Sequence, residues 1–229
     1  METTNTNLTK PMLGKGFRVL VACEESQAVT IQLRKLGFEA FSCDLQDCSG
    51  GQPEWHFKQD VFEVINLGWD MMIAFPPCTY ISYAATRHWN APGRAAKRED
   101  GMKFFMAMIN APIERIAVEN PVGYPNTVFR KPDQIIHPYY FGDGDKKRTC
   151  LWLKNLPKLQ HIKQDDLFAT KTHAPEPQPL YINKSGKRIF FSEGCVGVAD
   201  RAKIRSKTFP GIAKAMSEQW GAALSLSMF

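Results

Sequence analysis

The chain has no run of apolar residues approaching the roughly 20 that a membrane span needs, and its opening METTNTNLTKP lacks the charged-then-apolar order of a signal peptide. These two absences predict a soluble, cytoplasmic protein without a membrane partner. Its cysteines, Cys23, Cys43, Cys48, Cys78, Cys150 and Cys195, never stand as C-x-x-C, which argues against a zinc site, or any other metal site, and against a secreted disulfide framework. All but Cys78 read as small buried hydrophobes. A glycine-rich first turn is missing as well, which removes the signature of a nicotinamide-dependent α/β enzyme. There is neither an internal repeat nor a low-complexity tract.

What is present is ample apolar material: 229 residues, 44% hydrophobic, enough to bury a core as one domain or one domain with a small appendage. Lys and Arg total 29 against 23 Asp and Glu, a formal charge of +6, which favours a polyanionic partner without demanding one.

Residues 1–16 are polar and aperiodic and read as a tail. FRVLVAC (17–23) is a short β-branched strand, followed by a polar turn and by AVTIQLRKLG, whose apolar residues recur at helical spacing up to Gly37. FEAFSCDL (38–45) and DMMIAFPPC (70–78) read as further strands, the latter stopped by its prolines. GRAAKREDGMKFFMAMINA (93–111) carries a helix, and RIAVENP (115–121) another strand. Alternation of this kind predicts a mostly parallel sheet, with ligands at the carboxyl ends of its strands. Those ends hold Glu24-Glu25, Asp44, Pro76-Pro77-Cys78 and Glu119-Asn120. Beyond residue 130 the sequence becomes irregular, with a hairpin expected over 180–191 turning at Ser185-Gly186 and a helix starting near Pro210.

Two segments carry chemistry. In PPCTYIS (76–82) two prolines fix the backbone and direct the Cys78 thiol at the sheet edge, where it is either a nucleophile or a core cysteine. In AVENPVGYPN (117–126) a buried strand delivers Glu119 and Asn120 together, either as reactive groups or as an ordinary strand-to-turn junction. A thiol and a carboxylate at the ends of two strands of one sheet can address the same small molecule.

With VLVACEESQ, Asp44, QDVFEV, Pro-Pro-Cys, Glu-Asn-Pro, KKRTCLW and SKTFPGIAKAMSEQWG in this order, the chain resembles the DNA cytosine-C5 methyltransferases, in a compact form like those of phages and prophages. The resemblance covers most of residues 17–150 and resumes near 199. It implies a Rossmann-like class I methyltransferase fold with helices on both faces of the sheet and a small irregular C-terminal recognition element. The domains would be a catalytic unit over 17–150, a reduced target-recognition region over 151–198, and a segment over 199–229 returning to the catalytic unit.

It also implies the roles. Cytosine C5 is a poor nucleophile until a thiolate adds at C6, the part assigned to Cys78, while a Glu119 carboxyl kept protonated by burial donates toward N3. Asn120 would position the site and Arg148 would hold Glu119 or the base O2. S-adenosylmethionine is the implied cofactor, with Asp44 on its ribose, Asp60 on its adenine amino group, and Cys23, Glu25, Ser26, Leu45, Val61 and Pro76 completing the set. Read locally, Asp44 is equally a turn former and Asp60 a helix cap. DNA is the implied partner, with the target cytosine flipped out of the duplex. Arg87, Arg94, Lys97, Arg98, Lys146, Lys147, Lys184, Lys187 and Arg188 are candidate phosphate contacts, though each taken singly reads more readily as a solvated surface charge.

Three departures stand out: Cys23-Glu24-Glu25-Ser26 replaces the family's glycines, Phe75 stands where the family has Gly, and Pro121 where it has Val. About fifty residues separate Arg148 from the C-terminal helix, so short or relaxed sequence preference is expected. Two other functions use the same residues. One is modification of a free pyrimidine nucleotide or RNA, or transfer of a group other than methyl. The other is a catalytically silent DNA-binding protein.

Overall fold

The computed structural model describes residues 14–165, 168–194 and 207–226, without the side chains of Ala85, Arg87 and Glu193. Cys195, most of the expected tail and the start of the C-terminal segment at 199 lie outside the described residues.

The first strand, β1 (Arg18–Ala22), is buried along four of its five residues, as an apolar run without alternation requires of a central parallel strand. Helix α1 (Ala28–Lys35) follows and ends as the chain turns through Gly37 at φ 89°. Then come β2 (Glu39–Asp44), β3 (His56–Lys58), the short α2 (Val61–Val64) and β4 (Met71–Ala74). Strand β4 stops before its prolines, which have no N–H to give; the Phe75 amide still donates to the Ala22 carbonyl at 2.9 Å. The long helix α3 (Arg94–Ile109) crosses to β5 (Arg115–Pro121), which leads through α4 (Pro125–Val128) to β6 (Gln134–Ile136) and β7 (Thr149–Lys154). A two-stranded ribbon of β8 (Tyr181–Ile182) and β9 (Arg188–Ile189) and a single turn, α5 (Phe191–Gly194), precede the last helix. That helix, α6, starts at Pro210–Ala215, passes through a π turn at Met216–Trp220 and continues as Gly221–Leu226.

Seven strands form one sheet in the order β3-β2-β1-β4-β5-β7-β6. The first five are parallel, and β7 runs antiparallel to both of its neighbours. Helices cover both faces. Leu20, Met72, Ile116 and Trp152 on one face pack with Phe105 and Met108 of α3, and the Trp152 ring meets Phe105 edge-on at 5.0 Å. Val21, Ile73 and Leu151 on the other pack with Leu33 of α1 and with Met216, Trp220 and Leu224 of α6.

The sequence had pointed to an irregular region after residue 130, but β6 and β7 there complete the main sheet. The hairpin forms where expected, though as two residues a side, turning through Gly186 at φ 77°.

Candidate active site

The turn after β1 is built without glycine by placing Cys23 and Gln27 in the left-handed region, at φ 59° and 57°. Between them Glu24 turns inward. Its carboxylate accepts from the Val29 and Thr30 amides at 2.7 and 3.3 Å and from Thr30 Oγ1 at 2.7 Å, capping α1 from inside the protein. Burial pushes this carboxyl up to about 7, against the pull of those hydrogen bonds. The loop after β2 lies on the turn: the Ser49 amide donates to the Glu25 carbonyl at 2.9 Å, and Gln27 and Gln52 exchange two hydrogen bonds. A Cβ on Gly50 would come within 2.7 Å of the Ser26 carbonyl, so only glycine permits that approach. Ser26 Oγ accepts from the Ala28 amide at 3.5 Å.

At the end of β2, Asp44 Oδ1 accepts from the Gln46 amide at 2.9 Å, and Leu45 beside it is 73% exposed. Asp60 is the N-cap of α2, accepting from the Phe62 amide at 3.0 Å, with Val61 buried behind it. Both aspartates therefore take the turn and cap roles that local sequence allowed, and both stand on the rim formed by the strand ends.

The ends of β4 and β5 are tied together. Asn120, fully buried, donates from Nδ2 to the Pro76 carbonyl at 2.9 Å. Cys78, half-buried, opens a turn in which its carbonyl accepts from the Ile81 and Ser82 amides at 3.2 and 2.9 Å. That turn is bridged to the segment after β5 by the Ser82–Gly123 pairing and by the Tyr124 amide donating to the Ile81 carbonyl at 2.7 Å. A Cβ on Gly123 would lie 2.2 Å from that same carbonyl oxygen.

Glu119 is half-buried, and its Oε1 is shielded from solvent with no hydrogen-bond partner. Burial raises its pKa, and the Lys147 charge opposes that shift. Lys147, rather than Arg148, stands beside Glu119. Glu119 is in register with Leu151 of the antiparallel β7, so alternation carries the odd-numbered Lys147 and Thr149 to its face. Lys147 and Thr149 line a small cavity with Glu119, Phe75, Phe209 and Ile212, whereas Arg148 is exposed. The cavity, of about 20 Å³, has room for about one water.

Burial also separates the thiols. It pushes Cys43 up to about 12 and Cys150 to about 11, and raises Cys23 still further. Cys43 and Cys150 are core residues, and Cys23 is half-buried against that core. A larger cavity of about 500 Å³, lined by Ile109, Ile116, Arg130, Trp152 and Lys154, opens at the amino end of β5, away from the rim.

The basic residues divide. Arg94, Lys97 and Arg98 stand in the first turns of α3, beside the Cys78 turn, and Lys184, Lys187 and Arg188 are exposed on the ribbon. Lys146 is paired with Glu176, and the Arg87 side chain is outside the described residues.

A seven-stranded sheet in this order with an antiparallel seventh strand, and polar side chains gathered at the carboxyl ends, is a class I methyltransferase-like fold. The chain is similar to the structure of the Entamoeba histolytica methyltransferase EhMeth, with a TM-score of 0.53, 12% identity, and 94% of this chain and 100% of that one covered. A Spodoptera frugiperda DNMT2 variant aligns at a TM-score of 0.39 and 11% identity over 71% of this chain and 58% of its own. No family model matches. Among curated proteins, cytochrome P450 6l1 of Blattella germanica is 23% identical over 141 residues, 59% of this chain, and the chain spans only 28% of that protein's length. Among the described residues no helix is long and apolar enough to cross a membrane.

The donor set fits S-adenosylmethionine. An acceptor carboxylate, Asp44, stands at the end of β2 next to the exposed apolar Leu45, and the chain follows a left-handed course at Cys23 where a glycine is ordinarily needed. Glu24 is excluded from binding by its inward turn.

Proposed function

We propose that the protein transfers the methyl group of S-adenosylmethionine to C5 of cytosine in DNA, with Cys78 as nucleophile and Glu119 as proton donor. The observation that carries this reading is Glu119, its Oε1 shielded from solvent and unpartnered and its pKa raised, on the strand next to the one that delivers Cys78. A carboxyl in that condition is shifted toward its protonated form and has an oxygen open to a ligand.

Asp44, Leu45, Asp60 and, from the turn after β1, Cys23, Glu25 and Ser26 would hold the cofactor, with Val61 and Pro76 buried behind them as supports. When bound it supplies an electrophilic methyl group. The chain's own part begins with the Cys78 thiolate forming a bond to C6 while Glu119 gives its proton to N3, which places the electron density on C5. After C5 is substituted, loss of its proton breaks the Cys78–C6 bond and frees the thiolate. Asn120 holds the two strand ends in register through Pro76, and Lys147 balances the charge left on Glu119.

The exposed ribbon, with Leu180, Tyr181 and Ile182 beside Lys184, Lys187 and Arg188, is the surface for the duplex around a flipped base. Its two-residue strands read few bases, in keeping with a short or relaxed preference.

The test is incubation of the protein with cytosine-containing duplex and S-adenosylmethionine, followed by mass spectrometry of the nucleosides. New 5-methylcytosine is expected, abolished in Cys78→Ser and reduced about 10²–10⁴-fold in Glu119→Gln. Full activity of Cys78→Ser overturns the mechanism; unmodified cytosine with intact DNA binding moves the reading to another pyrimidine, another group or a silent binder.

A further inference from the structure

The segment between Cys78 and α3 concentrates donors that have nothing to donate to. Arg94 and Arg98, one turn apart on α3, share a face of the helix. The Arg94 guanidinium lies 4.4 Å above the Tyr80 ring and donates from Nη2 to the Thr79 carbonyl at 3.2 Å, one residue past Cys78. Arg98 lies between Trp89 and Tyr124, 4.7 and 5.4 Å from their ring centres. Despite these contacts, Arg94 Nε, Arg98 Nη1 and Trp89 Nε1 are all buried from solvent without a hydrogen-bond partner. Each is an N–H that folding has removed from water at a cost.

The missing partner is an anion. All three orphans are donors, two of them cationic, and among the described residues no carboxylate pairs with either arginine. The nearby Glu99 and Asp100 are turned to Lys103 instead, at 3.2 and 4.0 Å. The helix itself points the same way. Its first turn has no acidic residue and its N-cap, Gly93, offers no side-chain acceptor, so three cations stand where the helix dipole favours negative charge. A solvated surface would not bury these N–H groups, and an internal structural pair would have supplied a carboxylate.

We infer that Arg94, Arg98 and Trp89 form a phosphate-binding site that holds the substrate nucleotide beside Cys78. This rests on reading Cys78 as the nucleophile toward a pyrimidine. A phosphate presents several acceptor oxygens to a planar guanidinium and an indole N–H at once, and Arg stacked on aromatics is already oriented to meet it. The same chemistry is offered by a phosphodiester of a polynucleotide and by the phosphomonoester of a free nucleotide. The site is braced by both strand-end segments, since Tyr80 and Trp89 follow Cys78 while Tyr124 follows Glu119 and is hydrogen-bonded to Ile81.

The experiment measures binding of the full chain to a fluorescent cytosine-containing duplex across a salt series, with competition by dCMP and by deoxycytidine. The variants are Arg94→Gln, Arg98→Gln and Trp89→Phe, with Lys103→Gln as the reference surface cation and circular dichroism as the check on folding. Trp89→Phe keeps the ring and deletes only the donor. Each arginine variant is expected to weaken binding about tenfold and to reduce the salt dependence by about one released counterion, Trp89→Phe to weaken it less, and Lys103→Gln to change neither. If dCMP displaces the duplex and deoxycytidine does not, with displacement weakened in Arg98→Gln, the site takes a phosphomonoester; if the duplex resists dCMP yet binds the arginine variants weakly, it takes a phosphodiester. Folded Arg94→Gln and Arg98→Gln proteins that bind both probes like the native chain overturn the site, whether or not 5-methylcytosine forms. Weakened binding without 5-methylcytosine upholds the site and removes the proposed reaction instead.

Discussion

Two glutamates at the carboxyl ends of β1 and β5, the strands on either side of β4, show how one residue type is put to different uses. Glu24 is surrounded by donors from the first turn of α1 and serves as an internal cap, whereas Glu119 has an oxygen without any partner. Their stability consequences have the same sign. With its pKa raised from 4.5 to about 7, Glu24 holds in the folded chain a proton that the unfolded chain releases, so stability is greatest below about 4.5 and falls as pH rises through about 7. The shift corresponds to a loss of about 3 kcal/mol. Urea midpoints at acid and mildly alkaline pH are expected to show this decline in the native chain and to lose most of it in Glu24→Gln. An equal decline in the variant would transfer the effect to another group. At this scale much of the site was legible. Pro-Pro-Cys and Glu-Asn-Pro mark Cys78, Glu119 and Asn120 at strand ends, and the roles proposed for them come from the resemblance to the cytosine-C5 methyltransferases, whereas Lys147 reads only as a possible phosphate contact. Its place beside Glu119 follows from the register of β5 with β7, which no local pattern discloses.

Among the elements, the loops leaving β4 and β5 behave as one unit. Prolines end both strands, and the segments beyond them pair through Ser82 and Gly123 and through the Asn120–Pro76 hydrogen bond. Gly123 is what permits the approach, because a side chain there would run into the Ile81 carbonyl. Gly123→Ala is therefore expected to cost about 1–3 kcal/mol and to lower turnover through displacement of the Cys78 turn. Thermal unfolding together with the methylation assay checks both, and unchanged activity would show that the two segments are independent. The strands β1, β2, β4 and β5 and helices α1 and α3 could be read from the sequence because each is an apolar run or a periodic face. Strands β3 and β6 could not, since three residues give no period to detect, and β7 in KKRTCLWLK was read only as part of a motif.

Across the whole molecule, the C-terminal helix closes the face of the sheet on which the Glu119 cavity lies. Trp220 is fully buried between α1 and the sheet, with its Nε1 donating to the Pro157 carbonyl at 2.9 Å, and Phe209 and Ile212 line the cavity itself. Chain ends far apart in sequence thus complete one core. Trp220→Ala is expected to destabilise the fold by about 3–5 kcal/mol, measured by denaturant unfolding, and to expose Glu119 to water. A loss below about 1 kcal/mol would mean that α6 is an appendage.

The sequence by itself determined the alternation of strands and helices, the breaks at proline and the presence of a thiol and a carboxylate at two strand ends, because these depend on residue type and on periods a few residues long. Only the tertiary structure decided which charge faces Glu119, that a turn without glycine follows a left-handed path through Cys23, and that three donors near Cys78 are buried with no acceptor. Each of those depends on strand register or on contacts between distant segments, and a local pattern contains neither.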